Sequence, residues 1–96
     1  MMSIFLSVAL QISCVDGVAV VDQPEYVVKH NAVIEWRAKE AFQLDFDSPE
    51  NKQLKSHQKD GVHERRVGAS SLKEGRNYYD ISMESCMGDP VIIVER

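Results

Sequence analysis

The sequence has few of the residues that define several common classes of protein. Only two cysteines occur in 96 residues, which excludes a disulfide-rich scaffold and leaves open either one bridge or two free thiols. The five glycines are dispersed, so no glycine-rich loop is available to cradle a phosphate. The net charge of −4 provides no global attraction to nucleic acid or to an anionic membrane.

Basic residues are absent from the start of the chain. The first Lys or Arg is Lys29, so the apolar run near the N-terminus lacks the basic region of a secretory signal. Residues 4–12 alternate between apolar and small or polar side chains, which favours a half-buried strand and a cytoplasmic protein. The alternative is that residues 1–13 act as a signal and that the protein is periplasmic or secreted. The run is too short to span a bilayer as a helix, so no membrane span is expected.

Strand patterns follow one another along most of the chain. Alternation is clearest in residues 32–38, 42–46 and 79–83, and residues 91–94 are apolar on both faces, as in a strand between two layers. Residues 47–61 are almost entirely polar and are predicted to form a long loop. Residues 71–74 have capping-box spacing, which predicts one helical turn. Seven or eight short strands with little helix predict a single all-β domain over residues 1–96, a Greek-key β-sandwich.

The C-terminal segment is the most informative part of the sequence. It reads as two strands joined by a short turn, and the turn carries Cys86 next to Met87. A turn is expected to expose Cys86, which also shares the parity of the outward residues Asp80 and Ser82. Glu84 and Asp89 would raise the pKa of that thiol, so a reactive cysteine is not favoured.

The order of these segments resembles cupredoxin-like domains. The resemblance rests on Val33-Ile34-Glu35-Trp36, the alternating residues 42–46, the Tyr-rich residues 78–81 and the closing Asp-Pro-apolar residues 89–94. It is similar in particular to small bacterial members of that group. The resemblance implies a Greek-key sandwich in which copper-binding members take an upstream His, and then Cys, His and Met, around the last turn.

The ligand pattern of those copper proteins is incomplete in this chain. The last histidine is His63, so the turn contributes no imidazole. Adjacent side chains on an extended chain point in opposite directions, which keeps Cys86 and Met87 from one ion. We therefore expect a metal-free domain without a cofactor. The order Cys14, Trp36, Cys86 leaves an immunoglobulin-like sandwich as the alternative fold.

No catalytic set is apparent, and an enzyme is not expected. The three histidines are scattered without metal-ligand spacing, and no serine lies in a nucleophile elbow. The sequence therefore favours a non-catalytic module that binds a protein partner or a second copy of itself. Two alternatives remain open: a copper or redox protein that uses Cys86 and Met87, and a secreted sandwich bridged between Cys14 and Cys86.

The expected contact surface is the basic middle of the chain. Residues 51–76 contain most of the 11 Lys and Arg residues. The same stretch has no Phe, Tyr or Trp on which bases could stack, so specific nucleic-acid binding is not expected. The predicted interaction surface combines the 47–62 loop with the adjoining strand, and its basic residues are Lys52, Lys55, Lys59, Arg65 and Arg66.

Overall fold

The computed structural model describes residues 9–96, and this part of the chain contains strands and two short 3-10 turns, Pro49–Asn51 and Ala69–Ser71. No helix in it is long and apolar enough to cross a membrane. The strands are β1 Ala9–Val15, β2 Val18–Val21, β3 Glu25–Lys29, β4 Val33–Ala38, β5 Phe42–Phe46, β6 Leu54–Lys55, β7 His57–Lys59, β8 Val62–Gly68, β9 Gly75–Met83, β10 Met87–Gly88 and β11 Val91–Glu95.

The strands form two layers around one core, which confirms the all-β sandwich. One layer contains β2, β1, β4, β8 and β7, and the other contains β6, β5, β9, β11 and β3. Strand β1 links β2 to β4 within the first layer, because Ala9–Gln11 pairs with β4 whereas Ile12–Val15 pairs with β2. Strand β10 pairs with both β2 and β9 and thereby connects the two layers.

The C-terminal segment is the hairpin that the sequence predicts. Strands β10 and β11 keep one antiparallel register against β9 and are separated only by Asp89 and Pro90. Pro90 has no N–H to donate, but its carbonyl accepts a hydrogen bond of 3.2 Å from the Tyr79 N–H. Three parallel pairings complete the sandwich, β1 with β4, β10 with β2 and β3 with β11.

Two Asp-Gly turns set the short hairpins. Asp16 and Gly17 have φ values of 51° and 79°, and Asp60 and Gly61 have values of 53° and 80°. Positive φ at both central residues is the pattern of a type I′ turn, whose twist matches that of the strands it joins. The second turn lies inside the segment predicted as a long loop. That prediction was wrong, because residues 47–61 contain a 3-10 turn, β6 and β7.

An aromatic cluster occupies the centre of the core. Trp36 packs edge-on against Tyr79 at 5.6 Å between ring centroids, and Phe46 stacks on Tyr79 at 4.8 Å. The Trp36 Nε1–H donates a 3.0 Å hydrogen bond to the Tyr79 hydroxyl, which pairs two polar atoms that the fold buries. Burial raises the pKa of the Tyr79 hydroxyl well above its usual value, although the hydrogen bond from Trp36 acts in the opposite direction and lowers it.

The inward faces predicted from alternation are confirmed for β4, β5 and β9, and Leu10 and Ile12 of β1 also point into the core.

The interpretation of residues 1–13 as strand or signal falls partly on residues 1–8, which lie outside the described part. The predicted helical turn at residues 71–74 was wrong. The chain instead makes a 3-10 turn at Ala69–Ser71, and Leu72 after it is buried in the core.

Candidate functional site

A disulfide joins the first described strand to the last hairpin. Cys14 of β1 is bonded to Cys86, and their Cα atoms lie 5.9 Å apart. The bridge closes a loop with a sequence separation of 72 residues. A cross-link of that span lowers the entropy of the unfolded chain enough to stabilise the fold by about 4 kcal/mol in the chain-entropy description.

The hairpin geometry explains why Cys86 points inward. The Met83 N–H donates to the Cys86 carbonyl at 2.8 Å, so Glu84 and Ser85 form the turn and Cys86 lies opposite Met83. Residues opposite each other in an antiparallel pair share a face, and Met83 is on the inner face. The prediction of an exposed Cys86 was wrong. The prediction continued the alternation of β9 through residues 84 and 85, but these two residues form a turn that returns Cys86 to the inner face. The residue is 5% exposed.

Met87 lies on the other face of the same strand. It pairs with Ser82 and is 64% exposed, while the sulfur of Cys86 is held in the bridge. The two side chains that the sequence places together therefore point apart, as expected for neighbours on extended backbone. Among residues 9–96 no group of three or more His, Cys, Asp or Glu side chains converges as a metal site.

The sulfur that does approach the bridge belongs to Met83. Its Sδ lies 3.5 Å from Cys86 Sγ and 3.7 Å from Cys14 Sγ. A bridged cystine has no S–H to donate, so these are van der Waals contacts of polarisable sulfur. Sequence reasoning recognised Met83 only as an inward residue of β9. The signal that could have found it is the two-residue turn, which puts residues 83 and 86 opposite each other.

Two open cavities flank Met83. The first, of about 420 Å³, lies between the β5 and β9 ends and is lined by Phe42, Ser56 and Met83 among others. The second, of about 500 Å³, is lined by Cys14, Ala38 and Met83. Both also contain Glu40, from the connection between β4 and β5. The cystine and its neighbouring thioether are therefore reachable through an accessible end of the sandwich.

The five basic residues of the predicted interaction surface do not form one patch. Lys59 and Arg66 line a shared cavity of about 270 Å³, whereas Lys55 borders the 420 Å³ cavity. Lys52 and Asp45 line another, separate cavity. Arg65 and Arg66 are adjacent on β8 and therefore point to opposite faces. The structure brings together two of the five.

The charge of Arg66 is compensated on its own sheet. Its Nε donates to Glu35 Oε1 at 2.8 Å, and Arg37 hydrogen-bonds the other oxygen of Glu35, which is 3% exposed. Burial opposes ionisation of Glu35, but the hydrogen bonds from the two guanidinium groups outweigh it and hold the pKa of that carboxyl below its usual value. The surface around Arg66 is therefore electrically mixed rather than basic.

Arg65 has a different environment. Its Nη1 donates to the Lys55 carbonyl at 3.3 Å, and its Nε is buried with no hydrogen-bond partner among the described residues. The side chain thus ties β8 to β6 within the fold, which reduces its availability to a partner.

An exposed apolar row crosses three neighbouring strands. Val15 pairs with Val18 across the first hairpin, and Val18 pairs with Met87 of β10, so the three side chains share one outer face. Their exposed fractions are 52%, 49% and 64%. Val20, two residues beyond Val18 on the same face, extends the row. Contiguous exposed apolar surface is typical of a site of interaction. The three positions become neighbours only through strand pairing, which is why the sequence did not reveal them.

The chain matches no protein-family model, and no curated protein is significantly similar to it.

Proposed function

We propose that this protein is a non-catalytic interaction module whose bridged form binds a protein partner without a metal. The observation that carries the proposal is the apolar row of Val15, Val18 and Met87. Three large apolar side chains held side by side on rigid strands are suited to the desolvated centre of an interface, with polar residues around them. The proposed contact surface is therefore the apolar row on β1, β2 and β10 rather than the basic residues of β6 to β8.

We further infer that the sandwich is cupredoxin-like. The segments that carry the sequence resemblance are β4, β5, β9 and β11, and β9 pairs with β10 and then with β11 after the turn that holds Cys86. An immunoglobulin-like fold receives less support, because Glu84 stands two residues before Cys86, where such domains have the tyrosine of a tyrosine corner. Copper binding by Cys86 with Met87 has no support in this geometry, since the two side chains point apart.

The bridge supports a location in an oxidising compartment, periplasmic or secreted, in place of the cytoplasmic location expected from the sequence. Structural disulfides persist where thiols are not kept reduced, and they are rare in the cytosol. Measuring the mass of the mature protein from its native cell tests this inference. A mass lower by two hydrogens than that of the dithiol form is expected, and two titratable thiols in the freshly denatured protein would contradict it.

The partner-binding proposal is tested with two matched variants. Val18→Lys places a charge in the apolar row, and Val27→Lys makes the same change at a valine with the same 49% exposure outside the row. A photo-reactive residue at position 87 is used in each background to capture neighbours in native cells. We expect one discrete protein adduct, at least about tenfold weaker in Val18→Lys and unchanged in Val27→Lys.

Self-association is examined in the same variants by sedimentation velocity over a range of concentrations. An adduct between two copies, with a dimer lost in Val18→Lys, would identify the partner as this chain. The proposal would be refuted if the wild type stayed monomeric and if the chain with both native valines and the photo-reactive residue at position 87 yielded no adduct. An adduct that Val18→Lys retains in full would also refute it.

A further inference from the structure

Three sulfur atoms from separate segments converge at the open end of the sandwich. Cys14 comes from β1, Met83 from the end of β9 and Cys86 from the turn that follows. We propose that reduction of the Cys14–Cys86 bridge converts this cluster into a binding site for a soft monovalent metal ion, Cu(I), with two thiolates and the Met83 thioether as ligands.

The geometry places the thioether close to the position of a third ligand. In a trigonal site with metal–sulfur bonds of about 2.3 Å, neighbouring sulfurs lie about 4 Å apart. Met83 Sδ is already 3.5 Å and 3.7 Å from the two cysteine sulfurs. Opening the bridge parts the cysteine sulfurs, whose Cα atoms lie 5.9 Å apart on β1 and on the turn that follows β9. A site of this shape therefore requires side-chain rotations and no change of fold.

The ligand chemistry selects the ion. Thiolate and thioether are soft ligands, which favour Cu(I) over the harder divalent ions that prefer carboxylate and water. Two thiolates carry two negative charges, so a monovalent ion leaves one, and Lys39 lines the same 500 Å³ cavity as Cys14.

Reduction requires a dithiol, and the burial of the two cysteines indicates which sulfur it attacks. Cys14 is half-buried and lines the cavity, whereas Cys86 is 5% exposed. A thiolate of the dithiol bonds to Cys14 Sγ and releases Cys86 as a thiolate. The second thiol of the reductant then displaces Cys14, which yields two protein thiols and a cyclic disulfide of the reductant. The dithiol loses two electrons and the cystine gains them. Cu(I) binding afterwards releases the two thiol protons.

The experiment uses the full chain, reduced with dithiothreitol and freed of it under anaerobic conditions. Cu(I) is supplied as its bicinchoninate complex, and the loss of the colour of that complex reports transfer to the protein. We expect one Cu(I) per reduced chain and three sulfur neighbours in the X-ray absorption spectrum. The bridged protein, titrated in parallel, is expected to remove none.

Two methionine variants separate the proposed site from any pair of thiols. Met83→Leu keeps the volume and apolar character of the side chain and is expected to weaken Cu(I) binding at least about tenfold and to lower the sulfur count to two. Met87→Leu, which changes an exposed methionine on the other face, is expected to bind like the wild type. Near-ultraviolet circular dichroism of Trp36 and Tyr79 follows the fold throughout.

Three results would overturn the proposal. One is a Met83→Leu protein that binds Cu(I) as tightly as the wild type with the same sulfur count. Another is equal competition by the bridged protein, because its cysteine sulfurs are not available as ligands. The third is loss of the aromatic circular dichroism signal in the Cu(I)-loaded chain, because the thioether is placed only by the folded hairpin.

Discussion

The substitution Gly88→Ala is expected to separate β10 from β2. A Cβ at position 88 would lie 2.0 Å from the Ala19 carbonyl oxygen and 3.0 Å from the Ala19 carbonyl carbon. Both are backbone atoms of a paired strand, so no flexible side chain can move aside. The two backbones must part by more than an ångström to reach ordinary contact, which disturbs the pairing of Met87 with Val18.

Overpacking of this kind costs about 1–3 kcal/mol, and loss of strand pairing adds to it. We therefore expect the free energy of unfolding of Gly88→Ala, measured in urea with the disulfide intact, to be at least about 2 kcal/mol below that of the wild type. Gly68→Ala is the control, because the nearest atom to its added Cβ is Ser70 Oγ at 3.7 Å. The reasoning is refuted if Gly88→Ala and Gly68→Ala differ by less than about 0.5 kcal/mol.

Three further predictions concern the bridge, the aromatic core and the buried carboxylate. Replacing Cys14 and Cys86 together by Ala should lower the free energy of unfolding by about 4 kcal/mol in urea, and a loss below about 1 kcal/mol would contradict the entropic account. Tyr79→Phe should cost about 1–3 kcal/mol at neutral pH, because Trp36 Nε1 loses its acceptor. Since the folded pKa of Tyr79 is raised, the wild type should lose stability as the pH rises above about 10, where the unfolded tyrosine ionises, and Tyr79→Phe should lose less over that range in pH-dependent urea titrations. The lowered pKa of Glu35 gives stability that is present above about pH 4.5 and declines as the pH falls through the folded value. Glu35→Gln should therefore be less stable at pH 7 and lose less stability on acidification, and parallel acid titrations that superimpose would exclude this contribution.

Strands with one buried face could be predicted from the sequence because their side-chain period is two. Ile34 and Trp36 on β4, like Tyr79 and Ile81 on β9, alternate with polar residues and are buried as expected. Strand β7 could not be found in this way, since all three of its residues are exposed at the edge of a layer. The Asp60-Gly61 dipeptide was the available signal for that hairpin.

The candidate sites were predicted less well because they depend on contacts between distant segments. Alternation identified the inward face of Met83, but it failed for Cys86, because the two-residue turn between them places both residues on the same face. The basic residues are close in sequence, yet strand geometry sends Arg65 and Arg66 to opposite faces. No local pattern in the sequence specifies that Val18 lies beside both Val15 and Met87.

The parallel pairing of β3 with β11 has a consequence for how the chain folds during synthesis. Among the described residues, β3 pairs with residues 91–95, and the disulfide partner of Cys14 is residue 86. Strand β3 therefore cannot pair until β11 has been synthesised, and the bridge cannot form until Cys86 has. Contacts of such long sequence separation fold slowly. In a growing chain β3 therefore exposes unpaired backbone edges, which favour aggregation until β11 is available.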